Sequence, residues 1–263
     1  MAELSRERVS RVMKGVARRA GIDVTRIGRG PRRTLAEMLS HASRLGVNPA
    51  TVIDVGVAAG TPELYEAFPR ASLLLVEPIA EWREQLEGLG GGRRVHVESA
   101  AAGAREGEVT LHVHRVPACS SVLGARVGDD ERTNQRVVPV VDIDTLVART
   151  GFGSPYVIKI DVEGAELDVV AGATSTLEQT DLLLLEVSLF ELVPGGAQLA
   201  DVVCTMREKG WSVYDIYHGH LRPLDGALAQ VDIAFASDRG PLRASHEYAT
   251  PEQADALYRS WGH

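Results

Sequence analysis

The chain carries the stretch "TVIDVGVAAGT" at 51–61: a β-branched apolar run with an acid at its end, then a loop holding two glycines. A short buried strand followed by a glycine-bearing turn is how parallel α/β sheets build nucleotide sites, beyond the carboxyl ends of their strands. The loop offers Gly56 and Gly60 at G-x-x-x-G spacing, so it lacks both the third glycine of a dinucleotide fingerprint and the lysine of a phosphate-binding loop. Asp54 at the strand end suits a cationic ligand better than a pyrophosphate.

Working outward, runs at 52–55, 73–77, 94–99, 109–114, 137–141, 157–161, 182–187, 212–217 and 231–236 read as strands. Helical segments lie between several of them: "PELYEAF", "AEWREQLEGL", "DTLVART", "AELDVVAGATSTLEQ" and "AQLADVVCTMREKG". Two further helical stretches, "SRERVSRVMKGVARRAG" and "RTLAEMLSHASRLG", precede residue 50, with Gly21 and Gly46 as their ends. Strands buried on both faces with helices between them predict a mostly parallel, doubly wound α/β sheet. The turn "HGHLRPLDG" predicts a terminal antiparallel hairpin. The division expected is a helical extension or lid at 1–50, a catalytic domain at 51–240 and a tail at 241–263.

The 263 residues are 44% hydrophobic and 24% charged, which suits one large globular domain. No run approaches the roughly 18 apolar residues of a membrane span, and the arginine-rich start lacks the apolar core of a signal peptide, so a cytoplasmic protein is expected. Residues 1–33 hold ten Lys/Arg against three Asp/Glu, within a net charge of -8. No aromatic residue interrupts that basic segment, so nucleic acid is not the expected partner. The two cysteines, Cys119 and Cys204, support neither a disulfide framework nor a zinc site, and Cys204 reads as a helix core residue.

Acids at strand ends carry the chemistry. Glu77, in "LLLVEP", stands where an acid can accept hydrogen bonds from both ribose hydroxyls of an adenosine. With Asp54 it points to S-adenosylmethionine rather than NAD. "VIKIDVEGAELDVVAGA" at 157–173 places Lys159 inside a buried strand, then Asp161, Glu163, Gly164 and Glu166. Glu166 also reads as an ordinary first-turn acid. "LLLLEVS" sets Glu186 beside Asp161 if the two strands are neighbours, and "YHGH" brings His218 and His220 to the same rim. Such a group can hold Mg²⁺ (Asp161, Glu186, His218) or supply a general base, while a plain pair of Glu186 with Lys159 is an equal alternative.

"VIDVGVAAG", "LLVEP", the Ser-Ser pair of "ACSSVLG", "VVPVVDIDTLV", "YVIKIDVEGAELDVVAGA" and "LLLLEVS" together resemble, in order and spacing, the FkbM family of S-adenosylmethionine-dependent methyltransferases, over about 21–236. The resemblance implies a class I methyltransferase (Rossmann-like) sheet of seven strands with the last antiparallel, and O-methylation of hydroxyls on sugars or polyketide-type products. By the same likeness Asp54, Gly56, Gly60 and Thr61 would line the methionine end of the cofactor, Glu77 its ribose, Ser99 and Ala100 its adenine, and Asp161 the transferred methyl. The family usually shows DVGANxG where this chain has Val57, Ala58 and Ala59. An NAD-dependent oxidoreductase and a degenerate nucleotide-binding module are the competing readings. The polar mix of "SSVLGARVGDDERTNQR" favours a sugar acceptor, small or in an oligosaccharide; a homodimer is compatible with all of this.

Overall fold

The computed structural model describes residues 31–114, 116–124 and 134–260. The first helical stretch of the sequence, and Gly21 at its end, lie outside these residues. The described residues from Arg33 onward form one compact unit.

Ten strands are present among the described residues: β1 (Thr51–Val55), β2 (Ser72–Val76), β3 (Val95–Glu98), β4 (Ala101–Ala102), β5 (Gly107–Val113), β6 (Asn134–Val141), β7 (Tyr156–Ile160), β8 (Thr180–Ser188), β9 (Trp211–Leu221) and β10 (Leu228–Ser237). Seven of them form the main sheet, in the order β3-β2-β1-β7-β8-β10-β9. Every neighbour pair from β3 to β8 is parallel, and β10 runs antiparallel to both β8 and β9. The strand order reverses between β1 and β7, which marks the crevice where such sheets bind ligands. This is the class I methyltransferase arrangement.

The runs at 109–114 and 137–141 are strands, but not of this sheet. They fall in β5 and β6, which with β4 make a side sheet of order β4-β6-β5. Both strands leave one face open, Val137 being 69% exposed, so they lack the two-sided burial that a central parallel strand requires.

Helices cover both faces of the main sheet. On one side, Ile53, Val55, Ile158, Ile160, Leu183 and Leu185 pack with α4 (Ile143–Thr150), α5 (Glu166–Ala171) and α7 (Leu199–Glu208). On the other, Val52, Leu73, Val157, Leu182 and Leu184 pack with α1 (Leu35–Arg44) and α2 (Pro62–Ala67). Successive strand residues face opposite ways, so Asp54, Lys159, Glu186 and Asp232 share the α1 side of the sheet.

Local chemistry sets the helix ends. Thr34 caps α1 by accepting from the Glu37 amide, and Gly46 ends it at φ +96°. The "VDIDTL" block is largely structural. Asp142 caps α4 through the Thr145 amide, while Asp144 accepts from the amides of Ser175 and Thr176 and from the Thr176 hydroxyl, which caps α6 (Thr174–Leu177). The expected long helix at 165–179 is therefore two, α5 and α6. Between them Gly172 lies so close to the Gly103 carbonyl that a Cβ would sit 2.1 Å from its oxygen. The expected helix at 80–89 also shortens, to α3 (Arg83–Glu87) flanked by 3-10 turns. In α7, Val202 and Met206 face the core, and Cys204, two positions from each and so near the opposite side, is exposed rather than buried.

Candidate active site

The loop after β1 is held by packing as much as by any ligand. Gly56 has φ +75°, and a Cβ there would meet the Asp161 carbonyl oxygen at 1.8 Å, because the ends of β1 and β7 touch. Glu77 is buried and staples the loop in place: its two oxygens accept from the amides of Ala58 (2.7 Å) and Ile79 (2.8 Å). Burial raises the Glu77 pKa, and these two amides oppose the rise.

Ala58 adopts φ +45°, the left-handed region that asparagine tolerates and alanine does not. The DVGANxG pattern places its asparagine at this position. Ala58→Asn is expected to stabilise the protein by about 1 kcal/mol and to raise Tm by roughly 2–4 °C in scanning calorimetry. An unchanged or lowered Tm would refute the strain.

A cleft opens at the switch point, between the ends of β1, β2 and β7. Of the residues expected at the cofactor, Gly56, Glu77, Ala100 and Asp161 line it. Ile79, Ala101, Leu111 and Val122 give it an apolar wall facing the polar edge of Glu77 and Asp161. Asp54, Gly60, Thr61 and Ser99 are not part of its lining. Asp54 is fully buried behind the loop, accepting from the Tyr65 hydroxyl at 2.6 Å, and burial raises its pKa. Ser99 accepts from Arg83 at 3.2 Å, Gly60 turns the loop at φ +107°, and Thr61 precedes α2.

Apart from Ala100, sequence reasoning missed the wall built by 101–102 and 117–122, because small and apolar side chains there carry no chemical signature. The Ser-Ser pair was the available signal. The buried Ser121 hydroxyl donates to the Glu163 carbonyl at 2.8 Å, and Ser120 accepts from the His114 amide at 3.1 Å.

Beyond the cleft, register assembles a row of acids. Ile160 pairs with Leu185, which sets Asp161 level with Glu186, and Glu186 pairs with Asp232 on β10. Neighbouring strands lie about 4.8 Å apart, so the three carboxylates follow one another at roughly that interval along one face. Each has a partner. Lys159 donates to Asp161 at 2.8 Å, Gln230 donates to Glu186 at 2.6 Å, and His218 Nδ1 lies 3.3 Å from Asp232. Lys159 thus pairs with Asp161 and not with Glu186.

His218 reaches Asp232 through a β-bulge. Four residues of β9, Tyr217 to His220, oppose three of β10, Gln230 to Asp232, and His218 takes φ +52°. The His218 and His220 rings meet edge to face at 4.6 Å.

Electrostatics follow from this crowding. Burial pushes the Glu186 carboxyl up, and Asp161, Glu163 and Asp232 push it further, so it holds its proton well above the usual carboxylate range. Burial works against the Lys159 charge, but Asp161, Asp54 and Asp232 outweigh it and leave its pKa above that of an ordinary lysine. Burial raises Glu166 to about 7; it accepts from the Gly164 amide at 2.8 Å, at the start of α5.

Among the described residues, no three His, Cys, Asp or Glu side chains are placed to hold a metal ion. The expected set of Asp161, Glu186 and His218 does not converge, because each side chain is turned to its own protein partner.

Residues 54–213 match the family model described as the methyltransferase FkbM domain. Solved structures similar to this chain include a precorrin-6y C5,15-methyltransferase from Geobacter metallireducens (11% identity, TM-score 0.41, covering 81% of this chain and 92% of that one). A 1,6-didemethyltoxoflavin-N1-methyltransferase from Burkholderia thailandensis shows 11% identity and TM-score 0.40, with 77% of each chain covered. The magnesium protoporphyrin IX methyltransferase from Synechocystis, with bound SAM, shows 11% identity and TM-score 0.38, covering 81% and 88%. No functionally curated protein matches the sequence. With the family match spanning more than half of its length, the chain belongs to the FkbM methyltransferase family.

Proposed function

We propose that this S-adenosylmethionine-dependent methyltransferase acts on a hydroxyl group of a sugar, free or within an oligosaccharide, polysaccharide or glycosylated natural product. The observation that carries the proposal is the row Asp161–Glu186–Asp232, which starts at the cleft lining and runs away from it along one face. Closely set hydrogen-bonding groups of this kind match an acceptor with several hydroxyls better than a flat apolar one. The catalytic part is 51–240.

The cleft fits the donor: an apolar wall for a base, a buried acid at Glu77 for ribose hydroxyls, and a first loop whose backbone is held open by Gly56. When bound, S-adenosylmethionine supplies an electrophilic methyl group, and the protein aligns the acceptor and removes its proton. Asp161, fixed by Lys159, orients the acceptor at the cleft mouth. Glu186 stands one strand further on and accepts the hydroxyl proton; a carboxylate with a raised pKa is the stronger base once ionised. His218, held on Asp232, binds a neighbouring hydroxyl. Magnesium has no place in this scheme, since Lys159 already neutralises Asp161.

The test uses tritiated-methyl S-adenosylmethionine with methyl pyranosides and with catechol as a flat counter-acceptor. Label is expected in the pyranosides, at unchanged rate in excess EDTA, and S-adenosylhomocysteine is expected to bind in calorimetry where NAD does not. Labelling of catechol alone would overturn the sugar assignment, and loss of activity in EDTA would overturn the metal-free mechanism.

A further inference from the structure

Gln230 is a buried amide near the start of β10, among acids, and none of the chemistry above uses it. Its Nε2 donates to Glu186 Oε2 at 2.6 Å and to Glu163 Oε2 at 3.4 Å. An amide nitrogen has two protons, so one Gln230 serves two carboxyl groups without adding charge.

The Glu163 end of this bridge is itself fixed. Glu163 sits at φ +53° and Gly164 at φ +104°, two consecutive left-handed residues in the turn after β7. The Ser121 hydroxyl holds the Glu163 carbonyl at 2.8 Å, and a Cβ on Gly164 would meet Val193 at 2.6 Å, so the turn has little room to move. Backbone held in a sparsely populated region at a functional site marks a conformation that its surroundings enforce.

We propose that Gln230 is a positioning residue for methyl transfer: by bridging Glu186 to the rigid Glu163 turn, it fixes the acceptor-side carboxyl group relative to Asp161. The bridge runs from the wall of the cofactor cleft, through Ser121 and Glu163, to the acid that faces the acceptor. It therefore sets the distance between the two halves of the reaction. A misplacement of about 1 Å at such a point costs on the order of 100-fold in rate. This inference rests on the assignment of Glu186 to the acceptor.

Gln230→Met keeps the volume of the side chain and removes the amide. With the best methyl pyranoside of the acceptor set, its kcat is expected to fall about 10–100-fold, while KM for S-adenosylmethionine and Kd for S-adenosylhomocysteine stay within about twofold. In a Glu186→Gln background the same change is expected to cost little more, because both act through one group. A crystal structure of Gln230→Met with S-adenosylhomocysteine, which needs no acceptor, is expected to show Glu186 displaced from its place beside Asp161.

If Glu186→Gln lowers kcat while Gln230→Met leaves it unchanged, or if Glu186 keeps its rotamer in that crystal, the positioning role is overturned. If Glu186→Gln itself leaves kcat unchanged, the assignment of Glu186 is what fails, and the inference built on it fails too. Full multiplication of the two effects in the double variant would also overturn it.

Discussion

Lys159→Met is expected to destabilise the protein by about 3–5 kcal/mol at pH 7.5, the usual result of stripping the partner from buried charge. Tm should fall by roughly 10 °C or more. Lys159 lies in β7 between Asp54 on β1, its register partner, and Asp161 two residues on, and it also feels Asp232. Without it, three acids on one largely buried face have no nearby lysine. The penalty should shrink as pH falls from 7.5 toward 5, because burial has already raised the pKa of Asp54 and Asp232 and protonation removes their repulsion. Calorimetry of both proteins at the two pH values decides the matter. An equal Tm at pH 7.5 would show that Lys159 is not the counter-charge of this face.

Glu186→Gln is expected to lower kcat by about 10²–10⁴-fold, the range of a lost general base, with little change in S-adenosylhomocysteine binding. Burial and the neighbouring acids push the Glu186 pKa up to about 9, from an ordinary 4.5. In the wild type, kcat should rise with pH as Glu186 ionises and level off near that value; the variant should lose this rise. Stability changes in the opposite sense. Between the two pKa values the native state holds a proton that the unfolded chain has released, so folding is weakened as pH climbs through that window. Glutamine cannot ionise. The variant should therefore gain Tm over the wild type at pH 8 and gain less at pH 5. A residue that lowers stability and raises turnover is what a functional acid predicts. If kcat is unchanged, or if the wild-type profile is flat up to pH 9, Glu186 is not the base.

Much of the fold was legible before any coordinates. Apart from Asp54, Lys159, Asp161 and Glu186, the runs at 52–55, 157–161 and 182–187 are apolar at consecutive positions, a pattern that suits a strand covered on both faces. Acids stand at or near the ends of those runs, beyond which such sheets bind their ligands. Periodicity could not tell which strands share a sheet: β5 and β6 read like the others, yet they pair only with each other and with β4. Nor could it orient α7, where Cys204 faces outward and Val202 and Met206 face inward.

The site divides in the same way. Asp161, Glu186 and His218 were found as strand-end residues, but Asp232 and Gln230 lie inside β10 and read simply as polar residues of a late strand. Their roles come from antiparallel register with β8, which no local pattern encodes. The partner of Lys159 was likewise a matter of geometry, since Asp161 on the same strand is nearer to hand than Glu186 on the next. Sequence alone determined the family, the order of strands and helices along the chain, and the acids at the strand ends, because these follow from local composition and spacing. Only the tertiary structure decided that Glu77 staples the first loop, that a side sheet walls the cleft and that three carboxylates form one row. Those depend on which strands lie side by side, and hydrogen bonds between segments far apart in the chain settle that.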